Sequence, residues 1–260
     1  MRGLCRTQLG KTESGVAATN EPLHEVHMSA PLPAREVQRA ETLRRRCALL
    51  ASLFGSRVAT AGGNPRAEIT ARFAEEDALV ATASPKRRLE FLNSRACAHQ
   101  ALRELGVPEV PVLRGRGREP RWPARVVGSI SHGSDFCGAV AALREDYAGV
   151  GVDVEADQAL SADFARRVCS PEELARCAGL GPEELLARVI FSAKESVYKL
   201  QYPLSGAVLY WSDLEISLEE ARFSARFLRP CPPFREGQLL LGRWLRGSGL
   251  ILTGVTLNKT

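Results

Sequence analysis

No apolar run in the 260 residues approaches the ~18–20 needed to span a membrane, and the N-terminus lacks the contiguous apolar core of a secretory signal. The seven cysteines, at 5, 47, 97, 137, 169, 177 and 231, are odd in number, scattered, and free of any Cys-x-x-Cys pair. That pattern points to a reducing compartment and away from a disulfide framework or a zinc site. The four histidines do not cluster with them. Lysine is scarce: only five of the 35 basic residues, at 11, 86, 194, 199 and 259. There is no basic tail and no aromatic-rich single-strand motif. The net charge of +5 is carried by dispersed arginines, so an acidic ligand or acidic partner protein explains it as well as nucleic acid does. What is present, 45% hydrophobic and 25% charged residues, suits a soluble globular chain of one large domain or two lobes.

Residues 1–46 are polar and punctuated by Pro22, Pro31 and Pro33, with one Arg-rich helical piece around 34–50. They are expected to form a flexible, dispensable extension. Beyond it, Ala71–Leu79 reads as a short acidic-faced helix, and Ser84-Pro85 opens a longer one that stops at Gly106. Basic side chains in its first turn oppose the helix dipole unless an anion is supplied from outside; solvated arginines are the plain alternative. The turn Arg114-Gly115-Arg116-Gly117-Arg118 is either a close approach to phosphate or a solvated hairpin loop. Strands follow at 126–132, 136–143 and 149–155, expected to form one small antiparallel sheet. Helices then run to Gln201, and strand patterns return after Val208. Helix followed by sheet, twice over, indicates an α+β chain of two lobes, 47–147 and 148–260.

Two stretches carry the chemistry. In Gly149–Glu155, Val150, Val152 and Val154 share one strand face and Gly151, Asp153 and Glu155 the other, with the two carboxylates roughly 6.5–7 Å apart. Like charges so close repel unless a cation intervenes. In the helix expected over about 182–201, Leu186, Val189, Ile190, Ala193, Val197 and Leu200 form a core stripe. Glu195 and Lys199 face the opposite way. A surface pair at i,i+4 looks the same; with Asp153 and Glu155, however, Glu195 would complete a hard-oxygen site suited to Mg²⁺.

This ordered set resembles the 4′-phosphopantetheinyl transferases of the enterobactin-synthase and mycobacterial branch. The resemblance runs from about residue 47 to the end. It is carried by Ser84-Pro85-Lys86-Arg87-Arg88-x-Glu90-Phe91, Arg95-x-Cys97-Ala98, the Arg/Gly turn through Trp122-Pro123, Gly128-Ser129-Ile130-Ser131-His132, Gly151-Val152-Asp153-Val154-Glu155, and Phe191-Ser192-Ala193-Lys194-Glu195-x-x-x-Lys199. It implies a pseudo-twofold arrangement of two similar α+β lobes with the active site in the cleft between them. Coenzyme A and Mg²⁺ would bind there, and phosphopantetheine would pass to a serine of an acidic apo acyl or peptidyl carrier protein, releasing 3′,5′-ADP. Asp153, Glu155 and Glu195 match the metal-site acids, and Lys194 and Lys199 the lysines near the pyrophosphate. Arg87, Arg95, Arg114, Ser131 and His132 match the positions that hold the nucleotide, with Gly115, Arg116 and Gly117 in the adjoining turn. Glu195 is the expected base and Lys199 its catalytic partner. Gly117-Arg118 inverts the basic-then-Gly order more usual there, Gly133 stands where Cys is frequent, and Ser196 where Ala is. A cytoplasmic monomer with no nucleic-acid or membrane partner is expected. Rival readings are a non-catalytic coenzyme A or nucleotide sensor, a Mg²⁺-dependent nucleotide hydrolase, and an Arg-rich nucleic-acid binder.

Overall fold

The computed structural model describes residues 33–259 apart from 134 and 178. In chain order the elements are α1 (Ala34–Ser52), β1 (Val58–Gly63), α2 (Ala74–Ala78), α3 (Pro85–Glu104), β2 (Leu113–Arg114), β3 (Pro120–Arg121), β4 (Val126–His132), β5 (Cys137–Leu143), β6 (Tyr147–Ala156), α4 (Ala162–Val168), α5 (Pro171–Arg176), α6 (Glu183–Ser205), β7 (Leu214–Glu219), β8 (Arg222–Phe227), β9 (Leu239–Gly247) and β10 (Leu250–Asn258). Helices and sheets are thus mixed in an α+β chain. Local chemistry explains most boundaries. Ser84 Oγ accepts the Arg87 N–H, with Pro85 at the first helical position of α3. Ser170 and Glu173 form a reciprocal capping box at the start of α5. Gly206 ends α6 in the left-handed conformation, at φ 65°.

Among the described residues three antiparallel sheets form, ordered β1-β5-β4, β6-β10-β9-β8-β7, and the short hairpin β2-β3. The expected grouping of β4, β5 and β6 in one sheet is corrected here. β6 takes its backbone partners from β10, and β1, unforeseen as a strand, completes the smaller sheet by pairing with β5. The side of β6 that meets β4 is bridged by serine hydroxyls: Ser129 Oγ accepts the Val152 N–H and Ser131 Oγ the Val154 N–H, both at 3.2 Å. Side chains therefore do, between the two sheets, what a backbone ladder does within one.

α3 packs on the three-stranded sheet through Ala98, Ala101 and Leu102. α6 packs on the five-stranded sheet through the expected stripe, every member of which is buried. A third cluster joins Leu50, Phe136, Val152, Val154 and Leu252, so a shared core ties the two sheets together. Val150, Val152 and Val154 all face it, as the alternation requires.

The boundary expected at residue 46 falls inside α1. Arg46 donates to the Ser248 carbonyl at 3.0 Å and to the Asp135 carboxylate at 2.9 Å, which anchors the helix to loops of both sheets. Residues 1–32 of the expected extension lie outside the described residues. Among the described residues no helix is long and apolar enough to cross a membrane.

Candidate functional site

The site is built where α6 crosses β6. Gly151 makes the crossing possible: a Cβ there would lie 2.0 Å from the Ser196 carbonyl oxygen, so only glycine lets the helix approach so closely. Two residues on, Asp153 is buried against α6. Its Oδ1 accepts from Lys199 Nζ at 2.7 Å and Ser131 Oγ at 3.0 Å, and its Oδ2 accepts from Ser192 Oγ at 2.9 Å. Lys199 also donates to Ser131 Oγ at 2.8 Å. Glu195, one turn before Lys199, accepts the Trp211 indole N–H at 3.0 Å. Glu155 pairs with Arg188 at 2.7 Å.

The electrostatics follow from burial and like charge. Burial, and then the Asp153 charge, push the Glu195 carboxyl above the usual range, against the pull of Trp211 and Lys199. Burial and Asp153 raise Glu155 in the same way, opposed by Arg188. Two acids strained upward around a third are chemically suited to a divalent cation with hard oxygen ligands. As they stand, no three metal-ligating side chains among the described residues are gathered closely enough to hold one, and Asp153, Glu155 and Glu195 are instead bonded to Lys199, Arg188 and Trp211.

Beside the acids lies a basic cleft of about 290 Å³, lined by Arg87, Arg95, Arg114, Arg118, His132 and Lys199 among others. The guanidiniums of Arg95 and Arg114 lie over the same Phe91 ring, at 4.3 and 4.5 Å from its centroid. Arg95 is pulled down to about 10 by burial, with Glu76 opposing and Arg114 and Arg87 adding repulsion. Arg87 Nη1 donates to His132 Nε2 at 2.8 Å. Burial and then Arg87 lower the His132 pKa, so the imidazole is neutral and accepts this bond. Positive charge here exceeds what Glu90, paired with Arg87, and Asp153, paired with Lys199, can match, as suits an anion site.

The cleft continues along α6. A neighbouring cavity of about 220 Å³ shares Lys199 and Arg118 with it and includes Glu195. A third, of about 470 Å³, shares Glu195 and Tyr198 with the second and is walled by Leu209, Tyr210 and Trp211. Lys199 thus stands where the first two spaces meet, and Glu195 where the last two meet.

Lys194 and Arg116, both expected in the site, do not line the basic cleft. Lys194 is 2% exposed, and its ammonium donates to the Val168 carbonyl, the Glu173 carboxylate and the Trp211 carbonyl at 2.8, 2.9 and 3.0 Å. Its three hydrogens are therefore spent, and it holds α4, α5 and the Trp211 turn together rather than a phosphate. Arg116 is exposed and does not line the basic cleft, whereas Arg118 does. The reason is the tight turn between β2 and β3, in which the Arg118 N–H bonds the Gly115 carbonyl and Arg118 takes φ 69°. Gly117 lies against α6 and Gly115 against the Glu119 side chain. A Cβ on Gly117 would meet the Tyr202 hydroxyl at 2.1 Å, so its absence seats the hairpin on α6. Sequence reasoning missed Ser192, Trp211 and Arg188. Ser192 had a signal, lying within the same motif as Glu195; Trp211 and Arg188 had none.

Two family models match the chain: the 4′-phosphopantetheinyl transferase N-terminal domain over residues 75–142, and the 4′-phosphopantetheinyl transferase superfamily over 149–241. The chain is 40% identical over 200 residues to 4′-phosphopantetheinyl transferase Svp of Streptomyces mobaraensis, an alignment covering 74% of this chain and 81% of that protein. It is 36% identical over 195 residues to 4′-phosphopantetheinyl transferase PptT of Mycobacterium tuberculosis, with 70% and 85% covered. Enterobactin synthase component D of Escherichia coli O157:H7 is 38% identical over 139 residues, with 50% and 65% covered.

Proposed function

The chain belongs to the 4′-phosphopantetheinyl transferase superfamily, and we propose that it transfers 4′-phosphopantetheine from coenzyme A to a serine of an apo acyl or peptidyl carrier protein, releasing 3′,5′-ADP, along the run of three cavities beside α6. The observation that carries this reading is the order of groups along that run. A cluster of arginines comes first, then Lys199 at one junction and Glu195 at the next. A long ligand with an anionic nucleotide at one end and a neutral arm at the other matches that order.

The nucleotide and its 3′-phosphate lie in the basic cleft, held by Arg87, Arg95, Arg114, Arg118, Ser131 and His132. Arg95 lines this cleft while its Nε is bonded to the Val112 carbonyl. Lys199 faces the pyrophosphate and neutralises charge that develops on the leaving phosphate. Glu195 takes the proton of the incoming serine hydroxyl, directly or through a water. Its raised carboxyl makes it a stronger base than an ordinary glutamate once ionised. Trp211 fixes the orientation of that carboxylate through Oε1. Asp153, Glu155 and Glu195 are the residues that would hold Mg²⁺, which when bound supplies further charge neutralisation at the pyrophosphate.

The two α+β halves, with α3 on one sheet and α6 on the other, are read as pseudo-twofold lobes flanking this cleft. The net charge of +5 favours an acidic carrier. The protein is proposed to act as a cytoplasmic monomer. The test is incubation with coenzyme A, Mg²⁺ and a panel of apo-carriers. A carrier gaining the mass of phosphopantetheine on serine, with stoichiometric 3′,5′-ADP, is the expected result. Absence of any mass gain across carriers from fatty-acid, polyketide, peptide and siderophore synthases would refute it.

A further inference from the structure

α2 is only five residues long, yet it delivers a fully buried carboxylate, Glu76, at 1% exposure. The acidic solvent face expected of this segment is therefore broken at one position. Both Glu76 oxygens face His99 Nε2, at 3.0 and 3.1 Å. A ring nitrogen facing a carboxylate carries the proton and donates it. His99, equally buried, sits one turn after Arg95 on α3. Its other nitrogen lies 3.9 Å from Glu109, itself held by Arg103.

Glu76 Oε1 also accepts the Val112 N–H at 2.7 Å, and the carbonyl of the same residue accepts Arg95 Nε at 2.6 Å. Val112 is thus gripped from both sides. Two residues later the chain supplies Arg114, whose guanidinium shares the Phe91 ring with that of Arg95. A neutral amide would accept the Val112 N–H equally well. What a carboxylate adds is its charge, and Glu76 opposes the repulsion that Arg87 and Arg114 exert on Arg95. It does so from the Val112 side, where Arg95 Nε is bonded, while Arg95 also lines the cleft.

We infer that the buried Glu76–His99 pair is a positioning device for nucleotide recognition. It holds Arg95 and Arg114 in place and correctly spaced ahead of the ligand, so that the anion meets a preformed site. The inference rests on the nucleotide reading of the basic cleft, and the experiment separates the two. Affinity for 3′,5′-ADP is measured by calorimetry for wild type, Glu76→Gln, His99→Gln and Arg95→Ala, alongside kcat and KM for coenzyme A and dephospho-coenzyme A. Folding of each variant is checked by circular dichroism.

Glu76→Gln should weaken 3′,5′-ADP by about tenfold, the effect of losing one charge-assisted interaction. It should raise KM for coenzyme A by a like factor while kcat stays within about twofold, the mark of lost uniform binding. KM for dephospho-coenzyme A should change little. His99→Gln, which keeps an N–H toward Glu76 and the carboxylate charge, should shift the same quantities in the same direction by less. Wild-type 3′,5′-ADP affinity in folded Glu76→Gln, with Arg95→Ala weakened, overturns the inference and spares the cleft reading. Equal losses on coenzyme A and dephospho-coenzyme A, or failure of both variants to fold, would make the pair merely structural and also overturn it. If Glu76→Gln alone fails to fold, unchanged affinity in His99→Gln overturns it. Unchanged affinity in Arg95→Ala would instead refute the cleft reading itself.

Discussion

Replacing Glu195 with Gln removes a charge and a candidate base while leaving the side chain's shape. The amide oxygen can still accept the Trp211 indole N–H that Oε1 now accepts at 3.0 Å, so the side chain should keep its place between the second and third cavities. Stability should not suffer. Burial and Asp153 hold the native carboxyl above its usual range, which means that folding disfavours the ionised form at neutral pH. Gln removes that cost, and Tm should stay level or rise slightly. Turnover should fall by about 10²-fold or more, the range for one general base, equivalent to about 2.7 kcal/mol on the barrier. The assay is carrier mass shift together with 3′,5′-ADP release, at saturating coenzyme A and at several Mg²⁺ concentrations. Coenzyme A should still bind through the arginine cleft, which Glu195 does not line. Wild-type kcat should decline as pH drops through the raised Glu195 value, because the base is then protonated, and the variant should lose that limb. Complete recovery at high Mg²⁺ would make Glu195 only a metal ligand. Activity near wild type at ordinary Mg²⁺ would show that Glu195 is not the base and refute the proposed chemistry.

Trp211→Phe keeps the aromatic wall but removes the N–H to Glu195, so kcat should fall about tenfold, as for one hydrogen bond to a charged group; unchanged kcat would show that the bond does not orient the base. Arg87→Ala and Arg95→Ala should raise KM for coenzyme A more than they lower kcat, and dephospho-coenzyme A should show little further loss with either. Lys194→Met strands the buried Glu173 charge and should cost about 3–5 kcal/mol, lowering Tm by roughly 10 °C or more. Lys199→Met unpairs the buried Asp153, which keeps its bonds from Ser131 and Ser192, so it should lower Tm less than Lys194→Met while abolishing most transfer; thermal melts and the carrier assay on the two variants separate the roles of the lysines.

What the sequence determined by itself is whatever depends on neighbours along the chain. Ser84-Pro85 and the Ser170 box set helix starts. Alternation put Val150, Val152 and Val154 on one face of β6 and Asp153 on the other, and a 3.6-residue period put Ile190, Ala193 and Val197 on the core face of α6. Tertiary structure decided what each remaining face meets. Periodicity showed that Lys194 and Lys199 leave α6 in different directions but not that one enters a cage of two carbonyls and Glu173 while the other reaches Asp153. β6 carried no mark of whether β5 or β10 would pair with it, because any strand offers the same backbone donors and acceptors. The Glu76 carboxylate looked like one of three consecutive acids in a short helix; only the arrival of His99 and Val112 from distant parts of the chain makes it a buried anchor. A charged side chain declares its type in sequence, but its burial, and hence its chemistry, is set by partners that the fold brings from far along the chain.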